Sequence, residues 1–351
     1  MRAEQEPIIS ASGLSRHFTV GRRRAGLLGS LRRLADRGGT EVHAVEDVSF
    51  SIDPGEMVGY LGPNGAGKST TIKMLTGILV PSFGTASVAG LTPWADRRAL
   101  AGRIGVVFGQ RTQLWWDLPL IDSLELLRHI YRIPADRHAR MLTEMRRVLD
   151  LDAFLDTPVR QLSLGQRMRG DLAAAMLHEP PILYLDEPTI GLDVVAKARV
   201  RDFLSEVNRE RGVTVMLTTH DLADVEQLCT RLIIIDDGRL IFDGSLAEIK
   251  RRFGAFRTLV IDIDGDAASA VERLGRNLPA GAVVERTDGP RCWIRFDSRL
   301  VSASELIGAI VIGQPIRDLT IEEPAIEEII RDIYEHGIRD RTGVSEPALT
   351  S

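Results

Sequence analysis

Gly62-Pro63-Asn64-Gly65-Ala66-Gly67-Lys68-Ser69 follows the apolar run Met57 to Leu61 and opens a segment, Ser69 to Leu79, whose apolar residues recur at helical spacing. It matches G-x-x-x-x-G-K-[ST] in the context that pattern requires, after a strand and before a helix. Each residue type has a physical reason. Glycines let successive amide N–H groups converge on phosphate oxygens, and the N-terminus of the following helix adds about half a positive charge. Lys68 is then placed for the β and γ phosphates, and the Ser69 hydroxyl, with Thr70 behind it, for Mg²⁺ and phosphate.

Downstream, Ile182 to Leu185 is an apolar strand ending in Asp186-Glu187. Such a strand buries itself in a sheet and delivers Asp186 to the phosphate edge, to hold the Mg²⁺ shell, with Glu187 positioned to orient and deprotonate a water. ATP or GTP hydrolysis follows from the two motifs together. Short apolar strands at Val213 to Thr218 and Leu232 to Ile235, separated by helices, give an α/β fold with a buried, partly parallel sheet. A mostly helical stretch is predicted for Asp117 to Leu155, and an Ala-rich helix for Arg169 to Leu177.

The 351 residues bound the chain to about two domains. Hydrophobic residues at 44% and charged residues at 26% place it outside the disordered regime. A net charge of -5 gives no general attraction to a polyanion, so nucleic acid is not an expected partner. Cys229 and Cys292 are far apart in a chain that starts without an apolar signal region, which points to a reducing compartment. The longest apolar run, Leu306 to Gly313, is well short of the roughly 20 residues that cross a bilayer.

Between the two motifs lies Leu162-Ser163-Leu164-Gly165-Gln166. Here the chain resembles the nucleotide-binding subunits of ABC transporters, whose signature is usually LSGGQ. The other family motifs follow in order. Gln110 matches the Q-loop glutamine, Asp193 in Gly191-Leu192-Asp193 the D-loop, and His220 in Thr218-Thr219-His220-Asp221 the switch histidine; Phe18 stands where an aromatic stacks on adenine. Leu164 departs from the usual glycine. The resemblance implies a P-loop ATPase cassette of mixed sheet and helices with a helical subdomain, about residues 111–168. It further implies ATP and Mg²⁺ (Ser69, Gln110 and Asp186 as metal residues), catalysis by Lys68, Glu187 and His220, and a head-to-tail dimer. In that dimer Ser163, Gly165, Gln166 and Asp193 of one copy face the nucleotide held by the other. Transmembrane permease partners and the cytoplasmic membrane face are implied as well, with Trp115 or Trp116 in the permease socket.

Two segments fall outside the cassette pattern. Residues 21–41 form a basic insertion with six arginines and leucines at helical spacing, which reads either as a solvated loop or as a contact with anionic lipid or a membrane partner. After a cassette spanning 1–253, residues 254–337 alternate strand and helix as a small α+β domain, with helices predicted at Ala267 to Leu278 and Pro324 to Tyr334, and 338–351 form a polar tail. Leu319 to Ile330 is similar to the C-terminal extension of ABC-2 exporters. Export is thus the expected direction, with an importer or a soluble, non-transport ABC ATPase as the alternatives.

Overall fold

The computed structural model describes residues 6–21, 39–109, 111–219, 221–254, 256–264, 278–311, 316–324 and 326–336. The chain divides into two compact units, Met1–Gly244 and Ser245–Ser351.

In the first unit β1 (Ile9–Gly21), β2 (Gly39–Ile52) and β4 (Phe83–Val88) form an antiparallel sheet in the order β2-β1-β4. A six-stranded sheet carries β5 (Ile104–Phe108), β6 (Ile182–Asp186), β7 (Thr214–Thr218), β3 (Met57–Leu61), β8 (Arg231–Asp236) and β9 (Arg239–Ser245), in that order. The pairs from β5 through β8 are parallel. All five residues of β3 and of β7 are buried, and the first four of β6. This is the reason these strands read as apolar runs without alternation: both faces of a parallel sheet are covered. Ile9, Leu14, Val45 and Phe50 of the antiparallel sheet share one core with Tyr60, Tyr184, Met216 and Ile233 of the parallel one.

Helix α1 (Lys68–Leu75) follows β3 and buries Ile72, Met74 and Leu75. It ends four residues earlier than the apolar spacing predicts, because the Thr76 hydroxyl donates to Ile72 O at 2.8 Å and Gly77 turns left-handed at φ 75. A short α2 (Arg97–Ala101) precedes β5. The predicted helical stretch contains α3 (Leu120–Tyr131) and α4 (Ala135–Leu149), with 3-10 turns at Asp152–Phe154 and Val159–Gln161 before α5 (Leu164–Met176). α6 (Val194–Arg211) links β6 to β7, and α7 (Leu222–Leu228) links β7 to β8. Of the basic insertion, Gly21 ends β1 and residues 39–41 begin β2; the intervening arginines and leucines lie outside the described residues. Among the described residues no helix is long and apolar enough to cross a membrane.

The second unit begins at Ser245, nine residues before the start of the C-terminal domain read from the sequence at residue 254, and opens with α8 (Leu246–Phe253). Its Ile249 and Phe253 are buried, and α10 (Ile326–His336) packs on it through Ile329 beside Gly254. β10 (Phe256–Ile263), β11 (Ala282–Asp288), β12 (Arg291–Asp297) and β13 (Ile316–Glu322) form an antiparallel sheet ordered β11-β12-β10-β13, with α9 (Ala303–Val311) between β12 and β13. That order is the one of split β-α-β folds. The helix predicted at 267–278 and the tail from residue 337 lie outside the described residues. Cys229 and Cys292 are buried free thiols, one in each unit, and burial pushes the Cys229 thiol up to about 12.

Candidate nucleotide site

The parallel register sets the site. β3 runs between β7 and β8, and β6 lies on the far side of β7, so the loop after β3 emerges beside the ends of β7 and β6. Ligands of open α/β sheets sit outside these carboxyl ends.

The glycine loop is shaped from behind by β2. Gly67 has φ 102, and a Cβ there would lie 2.4 Å from Ala44 O, so no side chain fits. Gly65, at φ 89, has no atom of the described residues within 4 Å of an added Cβ. The outer side of the loop is thus free for a ligand while the inner side is backed by strand. Pro63 O accepts from Ala66 N–H at 3.2 Å, and Ala66 O from Gly238 N–H at 3.2 Å. Asn64 is exposed, and Ser69 and Thr70 are half-buried in the first turn of α1.

Lys68 is 8% exposed, and its ammonium donates to Gly62 O at 2.6 Å and Pro63 O at 3.0 Å. Burial pulls its pKa down, and the nearby carboxylates of Glu187 and Asp186 oppose that shift. The Ser69 hydroxyl donates to Asp186 Oδ2 at 2.9 Å. Oδ1 of the same carboxylate accepts from the buried Thr218 hydroxyl at 2.6 Å. Asp186 and Thr218 are register partners across β6 and β7, which makes this bond a direct product of sheet pairing. Glu187, the next residue, leaves the strand at φ 55, while its N–H donates to Thr218 O at 2.9 Å. A non-glycine residue in the left-handed region is a strained arrangement that recurs at functional sites. Gly109 N–H donates to Asp186 O at 2.7 Å, tying the start of the glutamine loop to the same strand end. Gln110 itself lies outside the described residues, as does His220.

The signature segment forms the start of α5. Ser163 is the N-cap: its Oγ accepts from Gln166 N–H at 3.2 Å, and Gln166 Oε1 accepts from Ser163 N–H at 2.8 Å. This capping box engages only Oε1 of Gln166, and among the described residues no acceptor is recorded for the Ser163 hydroxyl at this exposed helix N-terminus. Leu164 is the first helical residue and has negative φ, so the departure from glycine brings no backbone penalty. Its side chain lies against Gly191, where a Cβ would come within 2.8 Å of Leu164 Cδ2. Asp193 caps α6, its Oδ1 accepting from Ala196 N–H at 2.8 Å, and is followed by Val194 and Val195, which are 79% and 64% exposed. Phe18 is half-buried on β1, opposite Val42, with the Arg16 guanidinium 4.8 Å from its ring centroid.

Several residues of this neighbourhood escape a motif reading. Thr218 is one; its signal is a hydroxyl at the end of an otherwise apolar strand. Lys197 on α6 pairs with Asp221 at 2.5 Å, which holds the Asp221 carboxyl below its usual range. Buried Asp224 accepts from the Thr189 hydroxyl at 2.6 Å, and Arg201 stands 3.4 Å from its other oxygen. Asp171 on α5 accepts from Thr112 Oγ1 at 2.9 Å and Gln113 N–H at 3.0 Å, joining the glutamine-loop segment to the signature helix. Burial raises its carboxyl to about 6. None of these pairs is marked by local pattern, because each partner comes from a distant part of the chain.

The family model described as ABC transporter matches residues 45–190. The methionine import ATP-binding protein MetN of Ralstonia nicotianae is 30% identical over 332 residues, 93% of this chain and 84% of that protein. This chain belongs to the ATP-binding proteins of ABC transporters. The daunorubicin resistance ATP-binding protein DrrA3 of Streptomyces coeruleorubidus is 32% identical over 82% of this chain and 89% of its own length. The Nod factor export ATP-binding protein I of Ralstonia nicotianae is 34% identical over 70% and 75%. Among solved structures, an ATP-binding subunit of an ABC transporter superposes with a TM-score of 0.60 at 29% identity, covering 70% of this chain and 93% of that one. The dimeric cassette MJ0796 gives 0.58 at 26% identity, over 68% and 98%. The cassette fold of the family is therefore the fold of this chain, and cassettes of this family pair and act with transmembrane subunits.

Proposed function

We propose that this chain is the ATP-hydrolysing subunit of an ABC exporter, acting with Mg²⁺ as a head-to-tail pair at the cytoplasmic face of a membrane. The observation that carries the hydrolytic reading is the Ser69 to Asp186 hydrogen bond with Glu187 as the next residue. A hydroxyl and a carboxylate side by side form the hard-oxygen donor set that suits Mg²⁺, with Gln110 as a further oxygen donor. When bound, the ion neutralises charge on the β and γ phosphates. The loop from Gly62 through Gly67 and the first turn at Lys68, Ser69 and Thr70 hold the phosphates by N–H groups and the ammonium. Phe18 stacks on the adenine, Glu187 orients and deprotonates the attacking water, and His220 contacts the γ phosphate.

Each half-site alone leaves γ-phosphate charge partly exposed. In the proposed pair, the Ser163 hydroxyl, Gly165, Gln166 and the α5 N-terminus of the second copy complete the anion cage, with Asp193 alongside. The exposed Val194 and Val195 supply apolar contact next to it. Trp115 and Trp116, 38% and 49% exposed, line the permease socket in this reading. The arginines of the 21–41 insertion add affinity for anionic lipid.

Export is favoured by the Nod factor export relative and by the similarity of the C-terminal segment to ABC-2 exporters. Import is the second reading, favoured by the MetN relative, whose match runs through 93% of this chain. Everted vesicles carrying the chain with its permease, supplied with external ATP and a metabolite mixture, separate the two. ATP-dependent accumulation inside, read by mass spectrometry, is the exporter result; ATP-dependent loss from preloaded vesicles is the importer result.

A further inference from the structure

A second group of ligating side chains lies on the antiparallel sheet, and the nucleotide chemistry makes no use of it. His17 and His43 are direct register partners on β1 and β2. Their rings stack with centroids 4.0 Å apart at 15°. Glu41 is two residues from His43 and so projects from the same face. One of its oxygens is 3.3 Å from His17 Nδ1, and the other 4.0 Å from His43 Nε2. Behind this trio, Glu46 Oε2 is 3.9 Å from His43 Nδ1 and is itself held by Arg239 at 2.9 Å. The alternating pleat sends Phe18 and Val42 to the opposite face.

As surface ion pairs these contacts contribute about 0–1 kcal/mol each, and strand register alone brings the three side chains together. As a ligand set they are coherent. One ligand atom from each of His17, Glu41 and His43 falls within 4.8 Å of the others. We propose that these three residues form a transition-metal site of the Zn²⁺ class, with two imidazole nitrogens, one carboxylate oxygen and a fourth position for water. His17 is the fixed member. Its Nε2 is buried without a partner among the described residues, which leaves Nδ1 to face Glu41, and its ring meets Phe83 edge-on at 5.5 Å. His43 is the more exposed imidazole, its side chain 44% exposed, and Glu41 is more exposed still at 59%.

A coordinated ion lies in the plane of each imidazole, so the stack opens on binding and His43 turns about its side-chain bonds. Bond lengths of about 2.0–2.2 Å place tetrahedral ligand atoms about 3.4 Å apart. As the His43 ring turns, the separations between ligand atoms would close by on the order of 1 Å from the observed 4.8 Å limit. Glu46 would then accept from His43 Nδ1–H, fixing the tautomer that coordinates through Nε2. The bound ion would tie β1 to β2 on the strand that carries Phe18. This inference is independent of the transport reading.

The test uses the full chain, stripped of metal and held in excess Mg²⁺ so that the site at Ser69 and Asp186 does not compete. Calorimetric titration with Zn²⁺ and absorption after Co²⁺ addition should show one ion per chain in four-coordinate geometry. Both signals should disappear in His17→Ala and His43→Ala, and Glu46→Gln should weaken affinity about 10- to 100-fold. Circular dichroism checks the fold of each variant. If His17→Ala does not fold, the exposed His43→Ala decides. Absence of stoichiometric Zn²⁺ binding by the wild-type chain overturns the proposal. So does binding that persists in His43→Ala, as the other imidazole and carboxylate grouping at Glu125, His129 and His138 would give.

Discussion

Ser69 and Asp186 stand 117 positions apart in sequence, yet the serine hydroxyl donates to the aspartate at 2.9 Å. Three neighbouring parallel strands, β6, β7 and β3, and the loop after β3 create that contact. Removing the hydroxyl by Ser69→Ala takes away one oxygen donor and leaves the glycine loop intact. The expected outcome is an ATPase whose Mg²⁺ requirement rises at least about tenfold, since one lost charge-assisted contact is worth about 1.5–3 kcal/mol. A Mg²⁺ titration of turnover at saturating ATP checks it, and an unchanged titration counts against the role of Ser69.

Thr218→Val keeps shape but strips Asp186 Oδ1 of its 2.6 Å donor inside the protein. Hydrogen bonds to charged groups contribute about 1.5–3 kcal/mol. Urea unfolding should show a loss of that order, together with a weaker Mg²⁺ response. Valine at wild-type stability would mean that the hydroxyl is not supporting the carboxylate.

Asp171 gives a pH dependence of unusual sign. Burial raises its folded-state carboxyl from 3.8 to about 6. Between those values the folded chain binds more protons than the unfolded one, so stability from this group falls as pH rises from about 4 to about 6. The slope is at most about 1.4 kcal/mol per pH unit. Asp171→Asn retains an acceptor for Thr112 and Gln113 and should flatten that window in denaturation midpoints taken across pH. A variant with the wild-type slope would remove Asp171 as its source.

Val194 is 79% exposed directly after the Asp193 cap. Val194→Glu puts a charge where the pairing surface is proposed, at no cost to the core. Nucleotide affinity of the single chain should stay within about twofold, while ATP-induced pairing measured by light scattering should weaken by a factor of ten or more, the cost of about 1.4 kcal/mol from burying an unpaired charge. Equal pairing would place the contact elsewhere.

Much of the candidate nucleotide site is legible in sequence because its parts are local. The Gly62 to Ser69 loop, the Ile182 to Glu187 strand end and the Leu162 to Gln166 cap each carry their reason within a few residues. β4 was not legible: only Ala86 and Val88 of its six residues are buried, so it lacks a hydrophobic signal. The start of β2 was hidden for a related reason, since Gly39 to Glu41 are polar and join the sheet by pairing with β1. Thr218, Lys197, Asp224 and Asp171 act through partners that only the folded sheet brings near. In the second unit α8 is mostly polar, and only its buried Ile249 and Phe253 mark the face that packs in that unit. Gln110 and His220 are identified by motif order alone.

The most direct test of the account is the behaviour of Glu187→Gln with Mg²⁺ and ATP. The amide keeps the phosphate cage and removes the base, so hydrolysis should fall on the order of 10² to 10⁴ fold while nucleotide stays bound. Sedimentation velocity with labelled ATP should then show a stable dimer holding two nucleotides, against a monomer without ATP. A Glu187→Gln chain that remains monomeric with ATP bound, or that turns ATP over at the wild-type rate, would contradict it.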